Sequence, residues 1–188
     1  MNATTRRMPQ FHSRKLPVVM MLTGAVTMGA FAGGEAAGLR VNLTASMPRG
    51  LWQVRAGAPV GRGETVAICP PNRADIRQAA DRGYIPPGRC PGGYEPLIKP
   101  VAALGGDVVT VIAGGIFVNA DPVANTRPLS RDEAGRTLDP FPAGTYRVPP
   151  GELWLLAGHD PRSFDSRYFG AVPVTNIIGV ARPLWVLR

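Results

Sequence analysis

The sequence predicts a mostly-β domain, a partly open barrel or two packed sheets, preceded by one apolar segment able to span a membrane. Three observations predict it. Glycine and proline are abundant, 23 and 20 in 188 residues, and cut the chain into short runs. Long periodic stretches that would read as amphipathic helices are few. The uncharged run Leu16–Gly34 stands apart from everything after it. A chain of this length holds one well-buried domain and is too short for two ordinary ones.

The elements follow in order. Residues 1–15 form a basic tail with Arg6, Arg7, Arg14 and Lys15, and no acid occurs before Glu35. At 1.5 Å per residue the run 16–34 would span roughly 28 Å, close to the thickness of a bilayer core. The basic flank then stays in the cytoplasm and the rest is exported, placing residues 39–188 in the periplasm as one domain anchored to the inner membrane. The alternative is a cleaved signal peptide, with Ala30-Phe31-Ala32 as an A-x-A site. Arg6-Arg7 also spells a twin-arginine pair, but the residues after it fit that signal poorly. Half of the net charge of +8 lies in the flank. It is therefore a topology signal and not a nucleic-acid footprint, and no nucleic-acid partner is expected.

Within 39–188, Leu51–Arg55 and Glu64–Ile68 read as short strands. Asn72–Arg82 reads as a helical turn inside the Pro/Gly-rich loop between Cys69 and Cys90. Val108–Ile112 and Ile116–Asn119, joined by Ala113-Gly114-Gly115, read as a β-hairpin. Gly105-Gly106-Asp107 is a tight turn. Asn125–Ala143 is polar and irregular, a surface excursion. Glu152–Ala157 and Ile177–Leu187 close the chain as strands.

Cys69 and Cys90 are the two cysteines. In an oxidising compartment a disulfide is the leading reading, and two unpaired thiols are the alternative. Two thiols without a nearby histidine do not make a metal site, and no cofactor is expected.

Lysine usage singles out one residue. The chain has 19 Arg and two Lys, so beyond Lys15 the only lysine is Lys99, set among apolar residues. Arginine bias accounts for the scarcity. An arginine cannot lose its proton at working pH, however, whereas a desolvated lysine can and then serves as a general base. Ser46 lies in Thr44-Ala45-Ser46-Met47-Pro48-Arg49-Gly50, where Pro48 and Gly50 impose an irregular backbone and a turn with an exposed hydroxyl. Alone, it would be an ordinary turn serine.

Thr44-Ala45-Ser46-Met47 resembles the nucleophile box S-G-S-M of type I signal peptidases. Lys99-Pro-Val-Ala-Ala-Leu-Gly-Gly-Asp107 resembles their K-R-V-V-x-L-P-G-D box, with the same lysine-to-aspartate spacing. Gly158-His-Asp-Pro-Arg-Ser163-Phe-Asp165-Ser166-Arg167-Tyr-Phe-Gly170 resembles G-D-N-R-D-N-S-x-D-S-R-Y-W-G, and Ile177-Ile178-Gly179 their closing I-I-G. Two departures stand out. Proline follows Met47 directly, then Arg-Gly, where signal peptidases have S-M-x-P-T-L. The third box is one residue shorter around His159-Asp160-Pro161. The short S-M-P-R-G form is similar to the conjugal-transfer peptidases of the TraF type, which process pilin, and the cysteine pair and chain size fit that subgroup.

The resemblance implies a signal-peptidase-like fold and a membrane-anchored peptidase with a Ser/Lys dyad. Ser46 is its nucleophile and Lys99 its base. The Ser46 N–H and the Thr44 hydroxyl form its oxyanion hole. Ser163 orients the lysine, and Asp165 and Arg167 brace that shell. Substrates would be pilin precursors, with cleavage and ring closure as alternative outcomes. A general signal peptidase acting on secreted preproteins and a non-enzymatic periplasmic scaffold are the competing functions. A Ser-His-Asp triad would have to use His159, the only histidine beyond the N-terminal segment.

Overall fold

The computed structural model describes residues 15–187. The expected basic tail lies outside them except for Lys15, as does Arg188. The described chain falls into two units divided between Ala37 and Gly38.

The first unit is a helix, α1 (Lys15–Ala36), 22 residues long. Pro17 sits in its first turn, where a missing N–H costs nothing. Val18, Val19, Met20, Met21, Leu22 and Met28 are exposed on it. The helix covers the run read as a transmembrane anchor, yet among the described residues no helix is long and apolar enough to cross a membrane. Thr23 turns its hydroxyl back to the Val19 carbonyl, 2.7 Å away. The run read as an anchor thus forms one continuous helix, with an exposed apolar surface on its described side chains.

The second unit, from Gly38 onward, is mostly β. In chain order its strands are β1 (Leu39–Asn42), β2 (Gly50–Arg55), β3 (Thr65–Ile68), β4 (Leu97–Leu104), β5 (Val108–Ile112), β6 (Gly115–Val118), β7 (Asp121–Val123), β8 (Gly144–Arg147), β9 (Glu152–Leu155), β10 (Val172–Pro173) and β11 (Ile177–Val186). Two short α-helices, α2 (Ala74–Asp81) and α3 (Ser166–Phe169), and a 3-10 turn at Val174–Asn176 interrupt them. Seven strands form an open, half-barrel sheet in the order β1-β2-β11-β3-β4-β9-β10, and four form a second sheet, β7-β6-β5-β8. The expectation of a partly open barrel or two packed sheets agrees with this architecture.

The chemistry of the sequence explains the layout. Val, Ile and Thr fill β3 and β5, residues that pack well on a pleated surface. β5 and β6 pair in the expected hairpin; Ile112 opposite Gly115 leaves Ala113-Gly114 as a two-residue turn. β11 is long because it holds two neighbours, pairing with β2 and β3 along different stretches and kinking at two register shifts. Its Gly179 lies against the Arg55 carbonyl, where a Cβ would come within 2.4 Å of that oxygen. β1, β4, β7, β8 and β10 were not read from the sequence. Pro100 hides β4, since a proline normally excludes a central strand. It is accommodated because β4 pairs with β9 only from Val101 onward, and the register shifts immediately after.

Three apolar clusters fill the domain. Val66, Ile68, Val101, Leu153 and Leu155 pack with Ile76, Ala79 and Ile85 of the α2 excursion. Val109, Val111, Ile116 and Val118 pack with Ala103, Trp154 and Leu156, joining the two sheets. Met47, Trp52, Val54 and Ala157 form the third, beneath the Ser46 turn.

Cys69 and Cys90 are joined as a disulfide, with their Cα atoms 5.4 Å apart. The bond closes the excursion between β3 and β4, strands whose pairing sets Val66 opposite Lys99. In the chain-entropy account, closing a loop of this size stabilises the fold by about 3 kcal/mol. Replacing both cysteines by serine should therefore lower the urea-unfolding free energy by that amount. Dithiothreitol should bring the wild type to the same midpoint and leave the variant unchanged.

Candidate active site

The turn that carries Ser46 hangs between β1 and β2. At its far end Gly50, with φ +144°, lies so close to β11 that a Cβ would sit 2.2 Å from the Trp185 carbonyl oxygen. Only glycine fits there, which explains the glycine of the short serine box. The turn is held from within by Asn42, the last residue of β1. Its buried side-chain amide donates toward the carbonyls of Thr44, Met47 and Pro48 at 3.0–3.1 Å. Its carbonyl oxygen accepts from the N–H and the hydroxyl of Thr44. Trp52 donates its indole N–H to Pro48, and Met47 is buried, so the turn is fixed at both ends.

Lys99 reaches the turn from β4. Burial alternates along that strand, with Lys99, Val101 and Ala103 on the buried side. The lysine is 4% exposed, and its Nζ lies 2.5 Å from Ser46 Oγ. Thr44 Oγ1 lies 3.2 Å from the same serine oxygen. Burial lowers the Lys99 pKa from 10.5 to about 8; Asp165 and Asp160 pull it back up, and Arg167 pushes it further down.

That balance depends on the segment between β9 and α3. Asp165 and Arg167 are fully buried and form a two-point ion pair: Nε donates to Oδ1 at 2.8 Å and Nη2 to Oδ2 at 3.0 Å. The remaining guanidinium donors go to the carbonyls of Asn125, Pro161 and Ala157. Asp165 also caps α3 through the Arg167 N–H and accepts from the Ala157 N–H. Every donor of the guanidinium is thereby used, the condition under which a buried charge pair is tolerated.

The residues named from the sequence separate into three groups. Ser46, Lys99 and Thr44 come together. Asp165 and Arg167 pair as expected. Ser163 does not bond the lysine: its Oγ is buried without a hydrogen-bond partner, because the amine is aimed at Ser46. His159 is exposed, and the histidine triad finds no support, since the basic group on Ser46 is the lysine. Gly105-Gly106 forms the expected turn, but Asp107 does more, accepting from the Leu104 N–H and from Asn119 and pairing with Arg62. Asn42 was missed; an asparagine two residues before a threonine, at the mouth of a Pro/Gly turn, was the available signal. Among the described residues no group of three His, Cys, Asp or Glu side chains could hold a metal ion.

The family "Signal peptidase, peptidase S26" matches residues 15–186. A "Conjugal transfer protein TraF" of Agrobacterium fabrum is 42% identical over 165 residues, covering 87% of this chain and 92% of the relative. A "Plasmid transfer protein TraF" of Escherichia coli is 36% identical over 171 residues, covering 91% and 96%. A "Signal peptidase I" of Mycobacterium tuberculosis is 32% identical over 119 residues, covering 53% of this chain and 38% of the relative. With the family matched over nearly its whole length, this chain belongs to the signal peptidases of peptidase family S26.

Proposed function

We propose that this protein is a Ser/Lys-dyad endopeptidase that processes exported precursor proteins, with a conjugative pilin as its substrate. The observation that carries the proposal is the contact between Ser46 Oγ and the amine of a buried lysine whose pKa is lowered to about 8. The neutral amine takes the Ser46 proton as Oγ attacks the scissile carbonyl. The ammonium then protonates the leaving amine as the C–N bond breaks, leaving an ester on Ser46. A second nucleophile, water or an amine, gives its proton to the same lysine, attacks that ester and frees the serine. The Ser46 N–H and the Thr44 hydroxyl stabilise the oxyanion, each donor worth roughly 3 kcal/mol in enzymes of this kind. Ser163 is assigned to orient the amine once substrate is bound, because a buried hydroxyl left unpaired costs about 1–3 kcal/mol and is retained for a partner in another state.

The pilin assignment draws on the short S-M-P-R-G box and on two relatives named for conjugal and plasmid transfer that match nearly end to end. The signal peptidase I relative matches only half of the chain, which weighs against a general preprotein peptidase. Work at the cell envelope follows from such a substrate. An amine held near the ester would compete with water, because positioning outweighs bulk concentration. The pilin's own N-terminus is the amine we assign, and the product is then a closed ring. Intact-mass analysis checks this: a ring is lighter by one water than the linear cleaved peptide, and a linear product with a free C-terminus would make the protein a hydrolase.

Three outcomes test the dyad. In an assay of the full-length chain with a synthetic pilin precursor, Ser46→Ala and Lys99→Arg should each abolish cleavage, the second despite keeping the charge. Substantial turnover by the arginine variant would remove Lys99 from its role.

The rate should rise about tenfold per pH unit below pH 8 and level off above it, following the fraction of neutral amine.

Lys99→Met should be inactive and more stable. The folded-state pKa of about 8 lies below the free value of 10.5, so the unfolded chain binds the extra proton between these limits. Stability of the wild type therefore rises with pH across that window, and below it the buried ammonium costs about 3 kcal/mol. The methionine variant should gain that amount at pH 7 and lose its advantage near pH 10.5, as read by denaturant midpoints.

A further inference from the structure

We propose that Asn42 is a positioning residue of the peptidase reaction, acting through Thr44. The inference rests on the Ser/Lys reading above and adds to it the group that holds the oxyanion donor. Asn42 Oδ1 lies 2.8 Å from Thr44 Oγ1 and 3.2 Å from the Thr44 N–H, while Nδ2 faces the carbonyls of Thr44, Met47 and Pro48. The surroundings decide which end of the amide is which. Three carbonyls require the NH2 group, and an N–H donor requires the oxygen. A carboxamide carries two hydrogens and two lone pairs, so this one is used to capacity.

The direction of the next bond follows. Oδ1 has no hydrogen, so the Thr44 hydroxyl donates to it. Thr44 Oγ1 can then only accept at its contact with Ser46, 3.2 Å away, and the Ser46 hydroxyl is the donor there. Lys99 donates to Ser46 Oγ on the other side. The resting site is a chain of donors, Lys99 to Ser46 to Thr44 to Asn42, that ends on a buried amide 8% exposed. When the amine loses its proton, the serine hydrogen turns to it. Thr44 then swings its one hydrogen from Asn42 Oδ1 to the oxyanion, and its N–H bond to Oδ1 keeps Oγ1 beside the reacting oxygen. Asn42 also spans the loop from Thr44 to Pro48, a turn that Trp52 and buried Met47 hold as well. It touches neither the reacting atoms nor the general base.

The test follows acylation of Ser46 in the full-length protein by a strained β-lactam, read as the intact-mass increase with time. Asn42→Ala should slow acylation about 100-fold, the scale of losing positioning by about 1 Å. Thr44→Val should slow it by 100-fold or more, the scale of losing one oxyanion donor. Because Asn42 acts through Thr44, the double variant should be slower than Thr44→Val by no more than about threefold, whereas a purely structural amide would give multiplied effects. A wild-type rate in folded Asn42→Ala, or multiplied effects in the double variant, overturns the proposal. Where Asn42→Ala loses its cooperative melting transition, Thr44→Val carries the test, since it keeps the amide's bonds to the three carbonyls; a wild-type rate in that variant overturns the proposal too. Absence of labelling in the wild-type protein would instead refute the serine nucleophile, and the positioning role would fall with it.

Discussion

The fully buried pair Asp165–Arg167 is the constraint on which the rest of the site depends. It gathers carbonyls from Asn125, Ala157 and Pro161, so the segment between β9 and α3 is tied to the start of the 125–143 excursion on one guanidinium. Without it the polar excursion 125–143 would lose its bond at the Asn125 carbonyl and α3 its cap. An aspartate buried alone would also hold a nearby lysine in its charged form. With Arg167 bound to it through two hydrogen bonds, the carboxylate's field is largely cancelled at Lys99, and the loss of water decides the lysine's protonation. The pair is therefore structural in its contacts and electrostatic in its effect.

A second constraint is register. Lys99 meets Ser46 because β4 pairs with β3 so that Lys99 stands opposite Val66, with Val101 and Ala103 on the same buried side. A slip of one residue would send the amine to the other face. The disulfide, the register shift toward β9 and the apolar cluster under α2 all bear on that ladder. The serine side is set independently, by Gly50 against β11 and by Asn42 within the turn. Two elements far apart in sequence are thus each fixed locally and brought together by the sheet.

Much of this was legible in the sequence, for physical reasons that differ by residue. Lys99 stood out because an arginine-rich chain kept one lysine in an apolar run, and the hairpin at Ala113-Gly114 because its turn chemistry is local. β4 was illegible because Pro100 masks a strand that tertiary contacts nonetheless complete. Asn42 was passed over because its signal, an asparagine two residues before a threonine, is ordinary turn chemistry that names no partner. The Ser163 bond to the amine was expected from resemblance and is not made, since a hydroxyl's partner depends on side-chain directions that spacing does not encode. The run 16–34 was read from its lack of charge, and the single helix α1 covers it.

The disulfide has one further consequence. Chain enters and leaves the α2 excursion at points 5.4 Å apart and covalently tied, so the sheet experiences little more than an ordinary hairpin there. The inner side of the excursion is committed, with Ile76, Ala79 and Ile85 closing the core. Its outer side exposes Arg77, Gln78 and Asp81 to solvent, and the Arg77 guanidinium bonds Asn72 of the same excursion. Substitution on that outer surface leaves the Cys69–Cys90 tie and the pairing of β3 with β4 in place.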